Sequence, residues 1–140
     1  MIRRMEPSDL DTVMDIWLEG NLQAHPFVPA RYWRDNLERV REQLPLAEVS
    51  VYVEPAGIQG FLGLTGDHIA GLFVREDARS RGIGRRLLEA AKERRGRLTL
   101  CVYERNQGAM KFYRREGFSV EQRRADAATG AAEFFMVWER

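Results

Sequence analysis

The sequence predicts an α/β fold of the α+β kind: a mixed, mostly antiparallel sheet of about six to seven strands with about four helices, in a single domain over 1–140. Three observations predict it. Helical and strand periodicities alternate along the chain without repeats, low-complexity tracts or a linker. Three strand patterns in the middle are separated by short glycine-bearing gaps that read as hairpin turns. The third then leads through a glycine loop and an amphipathic helical run to a further strand, a connection long enough for a crossover to a parallel neighbour.

The elements follow in order. Ile2 to Met5 reads as an edge strand. Pro7 and Ser8 open a helix, with Ser8 and Asp11 at capping-box spacing and Leu10, Val13, Met14, Trp17 and Leu18 on one face; Gly20 marks its expected end. Gln23 to Pro29 reads as a loop. A second helix from Ala30 to Leu44 aligns Trp33, Leu37, Val40 and Leu44, and Pro45 closes it. Strands are expected at Glu48 to Glu54, Ile58 to Thr65 and His68 to Val74, divided by Pro55-Ala56-Gly57 and Gly66-Asp67. The next helix runs to about Arg95 and buries Ile83, Leu87, Leu88 and Ala91, and Leu98 to Val102 is a strand. Asn106 caps a helix through about Glu116, with Gly117 as its left-handed terminator. Phe118 to Arg124 and Glu133 to Glu139 form a last hairpin pair. Gly71, inside an apolar strand, marks a bulge or a place where the backbone is closely approached.

Composition narrows the function. Arginine and lysine number 22 against 21 acidic residues, a net charge of +1, so there is no general attraction to nucleic acid or anionic membrane. The lone Cys101 has no partner for an intrachain bridge, which fits a reducing compartment. Met1-Ile2-Arg3-Arg4-Met5-Glu6-Pro7 lacks the apolar core of a signal peptide, and nowhere do about 18 apolar residues run together. A cytoplasmic protein is expected, with no membrane or nucleic-acid partner and no metal site.

The segment Arg79-Ser80-Arg81-Gly82-Ile83-Gly84-Arg85-Arg86 follows an apolar strand and opens a helix. Unpaired N–H groups and the helix dipole make such a start an anion site, glycines let the backbone approach, and arginines add planar donors for phosphate. It is not a P-loop, since no Lys-Ser or Lys-Thr follows either glycine. Nor is it a dinucleotide fingerprint, since Leu87 stands where the third glycine belongs.

Arg79, Gly82 and Gly84 spell Arg-x-x-Gly-x-Gly. Downstream, Asn106, Ala109, Phe112, Tyr113, Gly117 and Phe118 spell N-x-x-A-x-x-F-Y-x-x-x-G-F. Together these resemble the two halves of the GNAT (Gcn5-related N-acetyltransferase) family, in particular its small single-domain bacterial members. The resemblance implies the GNAT fold and transfer of an acetyl group from acetyl-CoA directly to a primary amine of a protein lysine, a protein N-terminus or a small molecule. It implies that Arg79, Ser80, Arg81, Gly82, Ile83, Gly84 and Arg85 hold the pyrophosphate, that Leu72, Phe73 and Val74 offer backbone groups to the pantetheine arm, and that Asn106 bonds it. A monomer or homodimer is expected.

Acetyl transfer needs an uncharged amine, donors for the oxyanion and a proton for a thiolate whose pKa is about 8.5. Tyr113 stands where the family keeps its general acid, and a phenol of pKa about 10 is protonated at neutral pH. Freeing a lysine amine at pH 7 costs about 4.6 kcal/mol, an α-amine only about 1 kcal/mol. The fifth-strand glutamate of many N-terminal acetyltransferases is replaced here by Cys101, leaving His68 and His25 as candidate bases or acceptor-binding residues, with Glu104 and Glu54 as alternatives acting through a water. Two other readings are open: a catalytically silent acetyl-CoA-binding sensor, and an arginine-based RNA-binding domain, which lacks paired strand aromatics for stacking.

Overall fold

The computed structural model describes residues 1–140. The strands are β1 (Ile2–Arg4), β2 (Glu48–Glu54), β3 (Gly57–Thr65), β4 (His68–Val74), β5 (Arg97–Tyr103), β6 (Ser119–Ala125) and β7 (Ala132–Glu139). The helices are α1 (Leu10–Ala24), α2 (Ala30–Asp35), α3 (Leu37–Gln43), α4 (Ile83–Arg94) and α5 (Gln107–Arg115). The seven strands form one sheet in the order β1-β2-β3-β4-β5-β7-β6, antiparallel except for the β4–β5 pair. The chain thus closes its sheet with β7 inserted between β5 and β6.

Strand alternation sends side chains to two cores. Leu62, Leu64, Leu98, Leu100 and Met136 meet Ile83, Leu87, Leu88 and Ala91 of α4 and Met110 and Tyr113 of α5. Val49, Val51 and Phe61 meet Val13, Met14 and Ile16 of α1 and Leu44. Helices therefore cover both faces.

Three local expectations are corrected. The cap before α1 is formed by Asp9, whose Oδ2 accepts the Glu6 N–H at 2.8 Å while its carboxylate pairs with Arg3; Ser8 is exposed. Gly20 does not end α1: it lies buried within it, because the Phe73 ring occupies the space a side chain would need. The second helix is broken into α2 and α3 at Asn36, whose side chain donates to the Tyr32 carbonyl at 2.7 Å in competition with the helical ladder. Pro45 lies inside the 3-10 turn Leu44–Leu46 that follows α3.

The sheet feature that makes the site is a split. β3 pairs Gly63 with Gly71 and Leu64 with Ile69, leaving Ala70 bulged on β4, and β4 pairs with β5 only at His68↔Thr99 and Ile69↔Leu100. Beyond these residues the two strands diverge, and the gap opens through the sheet between the α1 and α5 faces.

Candidate active site

The gap holds two clefts of about 270 Å³ each. The first runs from Leu72 and Val74 of β4 along the loop Arg79–Gly82 to Ile83 and Gly84, with Ala109, Phe112 and Tyr113 of α5 as its far wall. The second lies between α1 and the strands, lined by Trp17, Asn21, His25, Trp33, Phe73, Cys101, Tyr103, Asn106 and Glu133. Leu72, Ala109 and Tyr113 line both. The two clefts meet at these three residues.

The glycine loop has the backbone of an anion cradle. Ser80 and Gly82 adopt φ of 62° and 81°, and the first intrahelical bond runs from Arg86 N–H to the Gly82 carbonyl. The N–H groups of Ile83, Gly84 and Arg85 are therefore free at the positive end of α4. Nothing lies within 4 Å of a side chain placed at Gly82, so its glycine answers to φ rather than to space. The arginines are anchored. Arg79 donates to the Val74 carbonyl and to Gln23, Arg81 pairs with Glu54, Arg85 with Glu89, and Arg86 with the Tyr52 hydroxyl.

Along β4, Arg75 N–H bonds the Gln59 carbonyl of β3. Strand alternation then turns the amides of Leu72 and Val74 toward the gap and that of Phe73 toward β3, leaving Phe73 to contribute its ring to the wall of the second cleft. That ring sits between Gly20 and Gly71, where added Cβ atoms would lie 2.5 Å and 2.9 Å from it. Gly71 is thus approached closely, by a side chain of its own strand.

Tyr113 is only 8% exposed, and its hydroxyl has no hydrogen-bond partner within the protein. Burial pushes its pKa up, so the phenol keeps its proton. Asn106 caps α5, its Oδ1 accepting the Ala109 N–H at 3.3 Å, and its Nδ2 stands 3.4 Å from His25 Nε2. His25 is enclosed by Phe27, Trp33 and Tyr103, and burial lowers its pKa to about 4, so the ring is neutral. His68 is elsewhere. It bonds Thr99 Oγ1 at 2.8 Å and stacks on Phe135 at the closed end of the β4–β5 gap, outside both clefts. Cys101 lines the second cleft, but burial and the nearby Glu133 raise its thiol pKa.

Sequence reasoning missed Tyr103 and Glu133. Tyr103 donates to Asp126 across the β6–β7 turn, and Glu133 faces it in register. Nothing local marks either residue, because their meeting depends on β7 pairing with β5.

A cleft ending in free helix amides, joined at Leu72, Ala109 and Tyr113 to a second, aromatic cleft, suits a group-transfer enzyme with a phosphate-bearing donor. The model of the acetyltransferase (GNAT) domain family matches residues 45–120. The peptidyl-lysine N-acetyltransferase YiaC of Escherichia coli K12 is 35% identical, over 99% of this chain and 96% of its own length. Escherichia coli YjaB, also named a peptidyl-lysine N-acetyltransferase, is 36% identical over 87% of this chain and 84% of its own. The solution structure of apo YjaB superposes with a TM-score of 0.87, covering 99% of this chain and 96% of that one at 31% identity. The chain belongs to the GNAT acetyltransferase family. It is an acetyl-CoA-dependent N-acetyltransferase acting on an amine. No helix is long and apolar enough to cross a membrane.

Proposed function

We propose that this enzyme acetylates lysine side chains of proteins, with Tyr113 as general acid. The observation that carries the reading is that Tyr113 lines both clefts and its hydroxyl makes no hydrogen bond within the protein. The names of the two Escherichia coli relatives support lysine as the acceptor, as does a cavity lined by Trp17, Trp33, Phe73 and Tyr103, which suits an apolar stem.

The residues of the first cleft fit acetyl-CoA. The free amides of Ile83, Gly84 and Arg85, with Arg79, Ser80, Arg81 and Gly82, would hold the pyrophosphate. The gap-facing amides of Leu72 and Val74, the neighbouring Phe73 and the Asn106 side chain would orient the pantetheine arm and polarise the carbonyl. When bound, acetyl-CoA supplies the activated thioester. Tyr113 then delivers its proton to the departing sulfur; burial raises its pKa, so the phenol carries that proton at neutral pH. His25, held neutral, serves as acceptor wall and as a prop for Asn106. The unit spans 1–140 as one domain, working in the cytoplasm as a monomer or homodimer without nucleic acid.

Tyr113→Phe tests this. The variant should bind acetyl-CoA as the wild type does, with turnover on an N-terminally blocked lysine peptide reduced about 100-fold or more. Equal loss of acetyl-CoA affinity and turnover, or undiminished turnover, contradicts the role.

A further inference from the structure

The acceptor cleft has a single acidic side chain in its wall, Glu133 of β7, and no lysine or arginine. Register sets Glu133 opposite Tyr103 and Phe135 opposite Cys101, so these residues share the sheet face that lines the cleft. The Glu133 side chain is 16% exposed. Its Oε1 accepts from Arg124 Nε at 3.3 Å, while its Oε2 has no hydrogen bond within the protein. Arg124 is itself fixed, reaching Cys101 Sγ at 3.1 Å and lying over the Phe135 ring, yet its 47% exposure leaves its charge screened by solvent. A half-partnered carboxylate in an aromatic pocket suits an ammonium carried on an apolar stem. Trp17, Trp33, Phe73 and Tyr103 would cover the methylenes, and the carboxylate would meet the charge.

We infer that Glu133 is the residue that receives the acceptor ammonium and removes its proton. The inference rests on the lysine reading above. At pH 7 only about one lysine amine in 2,500 is uncharged, so a carboxylate beside the bound nitrogen both concentrates the substrate and prepares the nucleophile. One N–H bond of the ammonium breaks and an O–H bond forms at Glu133 Oε2. The freed amine attacks the thioester carbonyl carbon, forming the C–N bond as the C–S bond breaks. Tyr113 gives its proton to the sulfur and recovers one from the new amide nitrogen, and Glu133 releases its proton to solvent.

The titratable groups around Glu133 are Arg124 and Asp126 from β6 and its turn, Cys101 and Tyr103 from β5, His68 of β4 and, across the cleft, His25. Burial holds both histidines neutral at pH 7 and raises the thiol and the phenol.

The test is Glu133→Gln, which keeps the shape and an acceptor for Arg124. With a blocked lysine peptide, kcat/KM should fall about 100-fold or more at pH 7, and the deficit should shrink toward about pH 9.5, where the free amine becomes abundant. Acetyl-CoA affinity should stay at the wild-type value, which also certifies the fold. A variant within about threefold of wild type at pH 7 overturns the inference, and so does a deficit that pH leaves unchanged. A wild-type enzyme that binds acetyl-CoA yet leaves the lysine peptide unmodified overturns the acceptor reading and this inference with it.

Discussion

Replacing Gly20 by alanine tests how firmly the wall of the acceptor cleft is packed. Gly20 is buried in the middle of α1, and an added Cβ would lie 2.5 Å from Phe73 Cδ1 and 3.2 Å from Cε1. Carbon atoms rest at about 3.5–4.0 Å, so the ring must retreat by about 1 Å. It has little room: a Cβ at Gly71 would stand 2.9 Å from the other edge of the same ring, and Phe61 packs at a centroid distance of 5.5 Å. Overpacking of this kind costs about 2–3 kcal/mol, and the helix propensity gained from glycine to alanine returns about 1 kcal/mol. The net loss is about 1–2 kcal/mol, a fall in Tm of about 3–7 °C at this chain length. Gly108 is the control. It lies exposed in α5 with nothing within 4 Å, so the same substitution there should raise Tm by about 3 °C. Thermal unfolding of the two variants beside wild type decides the matter. A Gly20→Ala protein as stable as wild type, with Gly108→Ala stabilised, refutes the packing argument. Because Phe73 lines the acceptor cleft, Gly20→Ala should also raise KM for the peptide more than that for acetyl-CoA.

Other outcomes follow from the same geometry. Asn106→Ala removes the side-chain cap of α5 and should cost about 1 kcal/mol by denaturant unfolding, with Asn106→Asp recovering most of it. His25 has a folded pKa of about 4 against about 6.5 unfolded, so between these values the unfolded chain takes a proton that the folded chain refuses. Stability is therefore full above about pH 6.5 and declines as pH falls toward about 4. His68, lowered for the same reason, adds to the decline. In His25→Gln the drop in Tm between neutral and acidic buffer should be smaller than in wild type; an equal drop would show that His25 is not its source.

The fold was legible where the determining forces are local. Strands at Glu48 to Glu54 and His68 to Val74 are found at their expected bounds, and Ile83, Leu87, Leu88 and Ala91 are the buried face of α4. Alternation, helical periodicity and the φ demanded at Gly82 and Gly117 act within a few residues, so they can be read in order along the chain. The same holds for the sequence of the anion loop and the cap at Asn106. Local signals misled where a distant group intervened: Gly20 reads as a helix end until the Phe73 ring is set against it, and Ser8 reads as a cap until Arg3 and Glu6 claim Asp9.

The sequence by itself determined the order of elements, the anion-binding turn and the family motif around Tyr113, because each is written in residues close along the chain. Only the tertiary structure decided that β4 and β5 part after Ile69 and Leu100, that Tyr113 lines both clefts, and that β7 enters beside β5 to bring Glu133 opposite Tyr103. These are matters of which strands pair and in what register. Register is settled by the packing of whole faces against α1, α4 and α5 rather than by any short segment.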